Sequence, residues 1–268
     1  MLALGLTLTI ANIQGIIQAI RRSNASKRLP RDWKDGQLVG VCGRIQALRD
    51  SVKAPFSGKD AVLVEYDIKY VVRTNKNSSH SVNDISGWLM TPCNVSTQRG
   101  QVRLLGFPLL SNMISSQPAS GESYKKAAEF IASTEFKEMP GNPISAIREF
   151  VKVLKDDDGD VIVNYKKPGA LDSKDPEEIL KELEVGSYIL EEKVVPQGAE
   201  VTVFGTYNKL KQALDIGSGF SNLDHTLELD KIENVVRRNY THSILGSLFF
   251  GGITAAGHYY VAYSLGLL

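Results

Sequence analysis

The residues best suited to metal or nucleophilic chemistry are four histidines, two cysteines and one run of aspartates. His80, His225, His242 and His258 are scattered, with no pair at metal-ligand spacing and no Cys-x-x-Cys. Cys42 and Cys93 are too few for a disulfide framework or a four-thiolate zinc site. They read as two free buried thiols, with a single bridge in an oxidising compartment as the alternative. The run DDDGD at Asp156 to Asp160 has the look of a calcium loop, but its glycine stands fourth rather than sixth and no glutamate closes it at the twelfth place. A solvated turn is the reading. No phosphate-cradling glycine loop and no nucleophile elbow are present, and Glu177/Glu178 and Glu191/Glu192 read as surface pairs. The expectation is a protein that is not an enzyme, with no catalytic, metal or cofactor residue assigned. A hydrolase with dispersed residues is the weaker alternative.

The elements that must carry any site are set by where charge is absent. All 31 basic and 30 acidic residues fall between Arg21 and Arg238, so both ends of the chain are uncharged. The net charge of +1 offers no basic footprint for nucleic acid. An apolar helix of about 20 residues crosses a hydrocarbon core about 30 Å thick. The last segment, from Ser243, is long enough, and Tyr259, Tyr260 and Tyr263 suit a membrane interface. The first segment, Met1 to Ile20, is weaker, because Thr7, Ala11, Gln14 and Gln18 form one face that needs a packing partner. Gly251/Ala255 and Gly252/Ala256 offer a matching small surface. A cleaved signal peptide fits less well, since the positive charge follows the apolar run. These features predict transmembrane helices over 1–22 and 241–268, flanking a soluble domain over 23–240. Arg21, Arg22, Lys27, Arg28 and Arg31 after the first, with Arg237 and Arg238 before the second, predict that the domain faces the cytoplasm. The sequons at Asn24, Asn77, Asn94 and Asn239 would matter only in the opposite orientation.

Between the ends, β-branched and aromatic runs alternate with turn residues. Residues 36–48, 61–73, 100–107, 160–165, 187–195 and 200–207 read as strands. Helical patterns cover Ser123 to Ser133, Pro143 to Lys155, and Asp175 to Glu184; the last opens with Asp175 as cap and Pro176 at the first position. Residues 74–84 and 166–176 read as mobile. The predicted class is α+β: an antiparallel sheet or small barrel with a few inserted helices.

Three patches in order resemble the GIDE, or "beside a membrane" (BAM), domain family. They are Gly40-Val-Cys-Gly43 with Pro55-Phe-Ser-Gly58 and Val64-Glu65-Tyr66; then Gly100 to Gly106-Phe-Pro; then Ser187-Tyr188 to Glu192, Pro196-Gln-Gly198 and Val201 to Gly205. That family is known from MULAN-type mitochondrial ubiquitin ligases and a chloroplast relative, where the domain lies between two transmembrane helices. The ligases add a zinc-binding RING, for which two cysteines are too few, so ligase activity is not carried over. The resemblance implies a prokaryotic stand-alone form in a bacterial inner membrane.

The functional expectation is a non-enzymatic, membrane-anchored binding or scaffold module. Its partners would be the lipid bilayer and either a second protein or further copies of itself, without nucleic acid. The alternative is an effector that oligomerises through its helices on sensing a ligand and perturbs the bilayer. A ligand site, if present, is expected near Arg44, Pro55, Ser57, Gly58 and Tyr66, where turns sit on a rigid sheet.

Overall fold

The computed structural model describes residues 15–75, 78–117, 121–139, 161–217 and 224–264. Its strands are β1 (Leu38–Ala47), β2 (Val52–Lys53), β3 (Asp60–Ala61), β4 (Leu63–Asn75), β5 (Ser78–Met90), β6 (Cys93–Thr97), β7 (Gly100–Leu105) and β8 (Leu109–Leu110). They continue with β9 (Lys137–Glu138), β10 (Val161–Lys166), β11 (Tyr188–Val195), β12 (Glu200–Asn208), β13 (Ala213–Asp215) and β14 (Thr226–Glu228). Residues 15–26 are helical (α1), followed by α2 (Gly121–Ser133), α3 (Pro176–Val185) and α4 (Ile232–Ser264).

Five strands close a ring in the order β1-β6-β7-β13-β12-β1. Taken in chain order these are strands one, two, three, five, four and back to one, with the third and fifth (β7 and β13) parallel. That is the connectivity of a five-stranded Greek-key barrel of the OB type. Closure depends on β1 serving two partners. It pairs with β12 over Leu38–Arg44 and with β6 over Arg44–Ala47. Gly43 stands where it changes partner, and a Cβ there would lie 2.2 Å from the Ser96 carbonyl oxygen. Val39, Val41 and Ile45 point inward and join Val95, Leu104, Val201, Val203 and Leu214 in the barrel core.

The second sheet, β11-β4-β5-β10-β9, is made wholly from the two long excursions between β1 and β6 and between β7 and β12. One face buries Val64, Tyr66 and Ile68 under α2 and α3, with Ala127, Ile131, Ile179 and Leu183. Tyr66 lies over Gly87, where a Cβ would meet its ring at 2.3 Å, and its hydroxyl donates to Asn164 Oδ1 at 2.5 Å. α3 begins as its sequence requires: Asp175 accepts from the Glu177 amide at 3.0 Å, with proline at the start and Glu177 and Glu178 against the helix dipole.

One expectation is altered by pairing. Residues 74–84, read as mobile, lie mostly in β4 and β5, because this polar stretch is held by the cross-strand ladder rather than by its own propensity. The helix expected over 143–155 and the aspartate run at 156–160 lie outside the described residues.

The expected membrane spans are corrected. Among the described residues, no helix is long and apolar enough to cross a membrane. α4 has 33 residues, about 50 Å, but glycines, Thr254, His258 and three tyrosines dilute its apolar half, and Arg237 and Arg238 lie in its early turns. Of the N-terminal segment, residues 1–14 lie outside the described part. The rest is α1, which buries Ala19, Arg22, Ser23 and Ala25. Four of the basic residues taken as membrane flanks have carboxylate or carbonyl partners instead: Arg21 with Asp224, Arg22 and Arg238 with Glu228, and Arg28 with the Leu38 carbonyl. The two-pass architecture, and the inner-membrane placement derived from it, are withdrawn with the spans.

Candidate functional site

An open groove of about 650 Å³ runs along the outside of the barrel. Its floor is Gly40–Arg44 of β1, one wall is the β6–β7 hairpin, and the other is formed by the Ser26–Trp33 linker and the start of α4. The hairpin tip is shaped locally: the Thr97 hydroxyl accepts from the Arg99 amide at 3.0 Å and donates to the Gly100 carbonyl at 2.9 Å. Gly100 takes a φ of +129°, open to glycine alone. This leaves Gln98 and Arg99 exposed at the groove mouth. Arg28, Arg44, Arg99 and Lys231 line the groove against Glu200 and Glu233. Arg28 is held on the Leu38 carbonyl. Arg44, Arg99 and Lys231 form no ion pair among the described residues. Trp33 supplies an aromatic surface, braced by Tyr207 at 5.2 Å between ring centroids.

The wall is held by a buried ionic clamp. Glu228, at the end of β14, is 1 % exposed. Its Oε2 accepts from Arg238 of α4 and from Asn112 Nδ2 at 3.0 Å, while Arg22 of α1 lies 4.0 Å from Oε1. Arg238 also reaches Asp230 at 3.1 Å. Asp230 caps α4 through the Lys231 amide and Asn234 at 2.8 and 2.9 Å. Asn234, then Lys231 and Arg238, hold the Asp230 carboxyl below its ordinary range. Burial pulls the Arg22 guanidinium below its ordinary value, against the opposing pull of Glu228 and Asp224. Its guanidinium also lies 5.6 Å from the ring centre of Phe204, which packs with Ala25 and Val235. The two helices that border the groove are thus fastened to one carboxylate.

Of the residues named from sequence, Arg44 lines this groove. Pro55, Ser57 and Gly58 do not reach it. They form the loop whose Phe56 and Ser57 amides donate to the buried Glu192 carboxylate, with Gly58 at a φ of +70°. Glu192 is therefore a core anchor, not a surface acid, and Tyr66 is buried in the sheet core. Gly40 and Gly43 are explained by close approaches, Gly40 to the Phe204 ring and Gly43 to β6. Both cysteines are free; Cys42 is half-buried in the groove, and burial pushes the Cys93 thiol up to about 12. His225 Nε2 lies 2.7 Å from the Thr206 hydroxyl, but neither lines the groove. Among the described residues no cluster of histidine, cysteine and carboxylate ligands could hold a metal ion. The clamp had no signal in the sequence, because Arg22 and Glu228 are far apart along the chain.

A second polar cluster lies on the other face of the β4 sheet. Lys69 pairs with Glu191 and Lys193 with Glu65, both at 2.7 Å, and Asp67 accepts from Ser86 at 2.6 Å. Burial raises the Glu65 and Asp67 carboxyls above their ordinary range, against their hydrogen-bond partners. A raised carboxyl favours the folded state below the unfolded value and loses that contribution as pH rises through the folded one. Asp67→Asn keeps an acceptor for Ser86 and removes the buried charge. It is expected to be neutral or to stabilise at neutral pH by up to about 1 kcal/mol. The gain should shrink as pH falls into the carboxylate range, which urea unfolding at two pH values would measure.

Compared with known protein families, curated proteins and solved structures, the chain matches none.

Proposed function

We propose that this protein is a non-enzymatic binding module that holds a protein partner, either another chain or a second copy of itself, in the groove beside β1. The observation that carries the reading is Arg44 and Arg99 at the rim of a preformed groove, neither in an ion pair among the described residues. Unpaired guanidinium groups on a rigid barrel suit an anionic surface, because a bidentate charge-assisted contact gives both affinity and orientation. The barrel connectivity alone says nothing of function. The clamp gives the module a fixed wall, which lowers the ordering cost of binding.

The test is a photo-crosslinking residue at Gln98, on the groove mouth, with Leu210 as control; Leu210 is 93 % exposed and lies outside the groove lining. Irradiation in cells should give a discrete adduct from Gln98 that Arg44→Glu with Arg99→Glu abolishes. Equal adducts from both positions, or none from Gln98, would reject the groove as the binding surface.

A further inference from the structure

We infer that the groove takes an extended acidic peptide by strand addition to the free edge of β1; this rests on the binding reading above and names the partner's chemistry. The inference comes from the parity of the β1 hydrogen bonds. Ile45 donates to Ala199, and Gln37 accepts from Tyr207, so odd-numbered residues of β1 turn their amides and carbonyls toward β12. In an antiparallel ladder alternate residues face opposite sides. Leu38, Gly40, Cys42 and Arg44 therefore turn theirs the other way. On that side β6 pairs only from Arg44 onward, with Leu48 donating to Pro92 in the same parity.

The Leu38 carbonyl is taken by Arg28. No strand among the described residues pairs with Gly40 and Cys42 on that side, and both lie on the groove floor. A barrel normally has no open edge, and buried backbone groups are normally paired. Here β1 runs past the end of its neighbour and leaves two rungs facing a cavity. An extended peptide fits them, since its own amides and carbonyls supply the complement. The charge of the site selects among peptides: Arg44, Arg99 and Lys231, with Arg28, outnumber Glu200 and Glu233 around the rungs, so acidic side chains beside the pairing strand are favoured over basic ones.

Cys42 supplies the readout. Its inward-facing neighbours Val41 and Ile45 lie in the barrel core, so its thiol faces the groove, while Cys93 is buried. The biotinylated full chain would be panned against a random short-peptide library, with counter-selection on the Arg44→Glu, Arg99→Glu chain. Both positions are exposed, and a matching melting temperature confirms that this chain is folded. Enriched peptides should be acidic, and one made synthetically should slow maleimide labelling of Cys42 by about tenfold or more. Methylating alternate backbone nitrogens of that peptide, on whichever edge faces β1, should restore the labelling rate, since two backbone hydrogen bonds are worth about tenfold or more in affinity. Enrichment without acidic bias overturns the proposal, as does protection that survives methylation of each alternate set in turn. Protection by an oligothymidylate where no peptide protects assigns the groove to single-stranded nucleic acid and also overturns it. A Gln98 adduct in cells with any of these failures leaves the binding reading standing and removes only strand addition.

Discussion

Glu228→Ala is expected to cost the fold about 3 kcal/mol, because it removes the buried carboxylate on which the Arg22 and Arg238 guanidiniums converge. Arg22, almost fully buried, keeps the pull of Asp224, and Arg238 keeps Asp230. The loss should appear as a lower urea midpoint in circular dichroism, and Glu228→Gln should fall between the two. Breaking a buried ion cluster and replacing it are different operations. The triple change Arg22→Met, Glu228→Leu, Arg238→Met removes all three charges and is expected to retain most of the stability, since desolvation offsets much of what the pairing contributes. A loss below about 1 kcal/mol for Glu228→Ala would mean that water reaches the guanidiniums once the carboxylate is gone, and that the clamp does not fix the groove wall.

The second large effect is expected at Gly43. Adding one methyl places a carbon 2.2 Å from the Ser96 carbonyl oxygen and 2.8 Å from its carbon. Both are backbone atoms, so no side-chain rotation relieves the contact. β6 must move away from β1 where the barrel closes, giving up rungs of the Arg44–Ser96 ladder. Gly43→Ala should therefore cost about 3 kcal/mol, at the upper end for overpacking. Amide exchange would locate the damage, with faster exchange at Val95 and Ser96 while the β4–β5 hairpin keeps its protection. Unchanged exchange in β6 would show that the barrel absorbs the methyl elsewhere.

These two positions mark what could and could not be read from the chain. Strands such as β4, β11 and β12 were legible because β-branched and aromatic residues recur densely along them between turn residues. α3 was legible because Asp175 and Pro176 write its start. β5 was not, since Ser78 to Ser86 is polar and becomes a strand only opposite β4. The clamp misled in an informative way. Arg21, Arg22 and Arg238 beside uncharged segments carry the signature of membrane flanks, and only folding brings Asp224, Glu228 and Asp230 against them. Local pattern reports which residues are charged; it does not report which carboxylate will meet them. The site was legible only in Arg44, while the Pro55–Gly58 turn proved to be the seat of a core carboxylate.

The pairing of Leu38 with Thr206 carries a cost in time. β1 leaves the ribosome long before its barrel partner exists, and at about 5–20 residues per second the wait is on the order of 10–30 s. Contacts so distant along the chain also fold slowly, because loop closure precedes any reward. Through that interval β6 can take the Arg44–Ala47 end of β1, but the edge that β12 will cover is unpaired and the apolar face has no complete core. The β4–β5 hairpin, by contrast, closes on its own neighbours as soon as it emerges. The β4–β5 hairpin therefore forms first, and the nascent barrel depends on whatever shields an incomplete strand until β12 arrives.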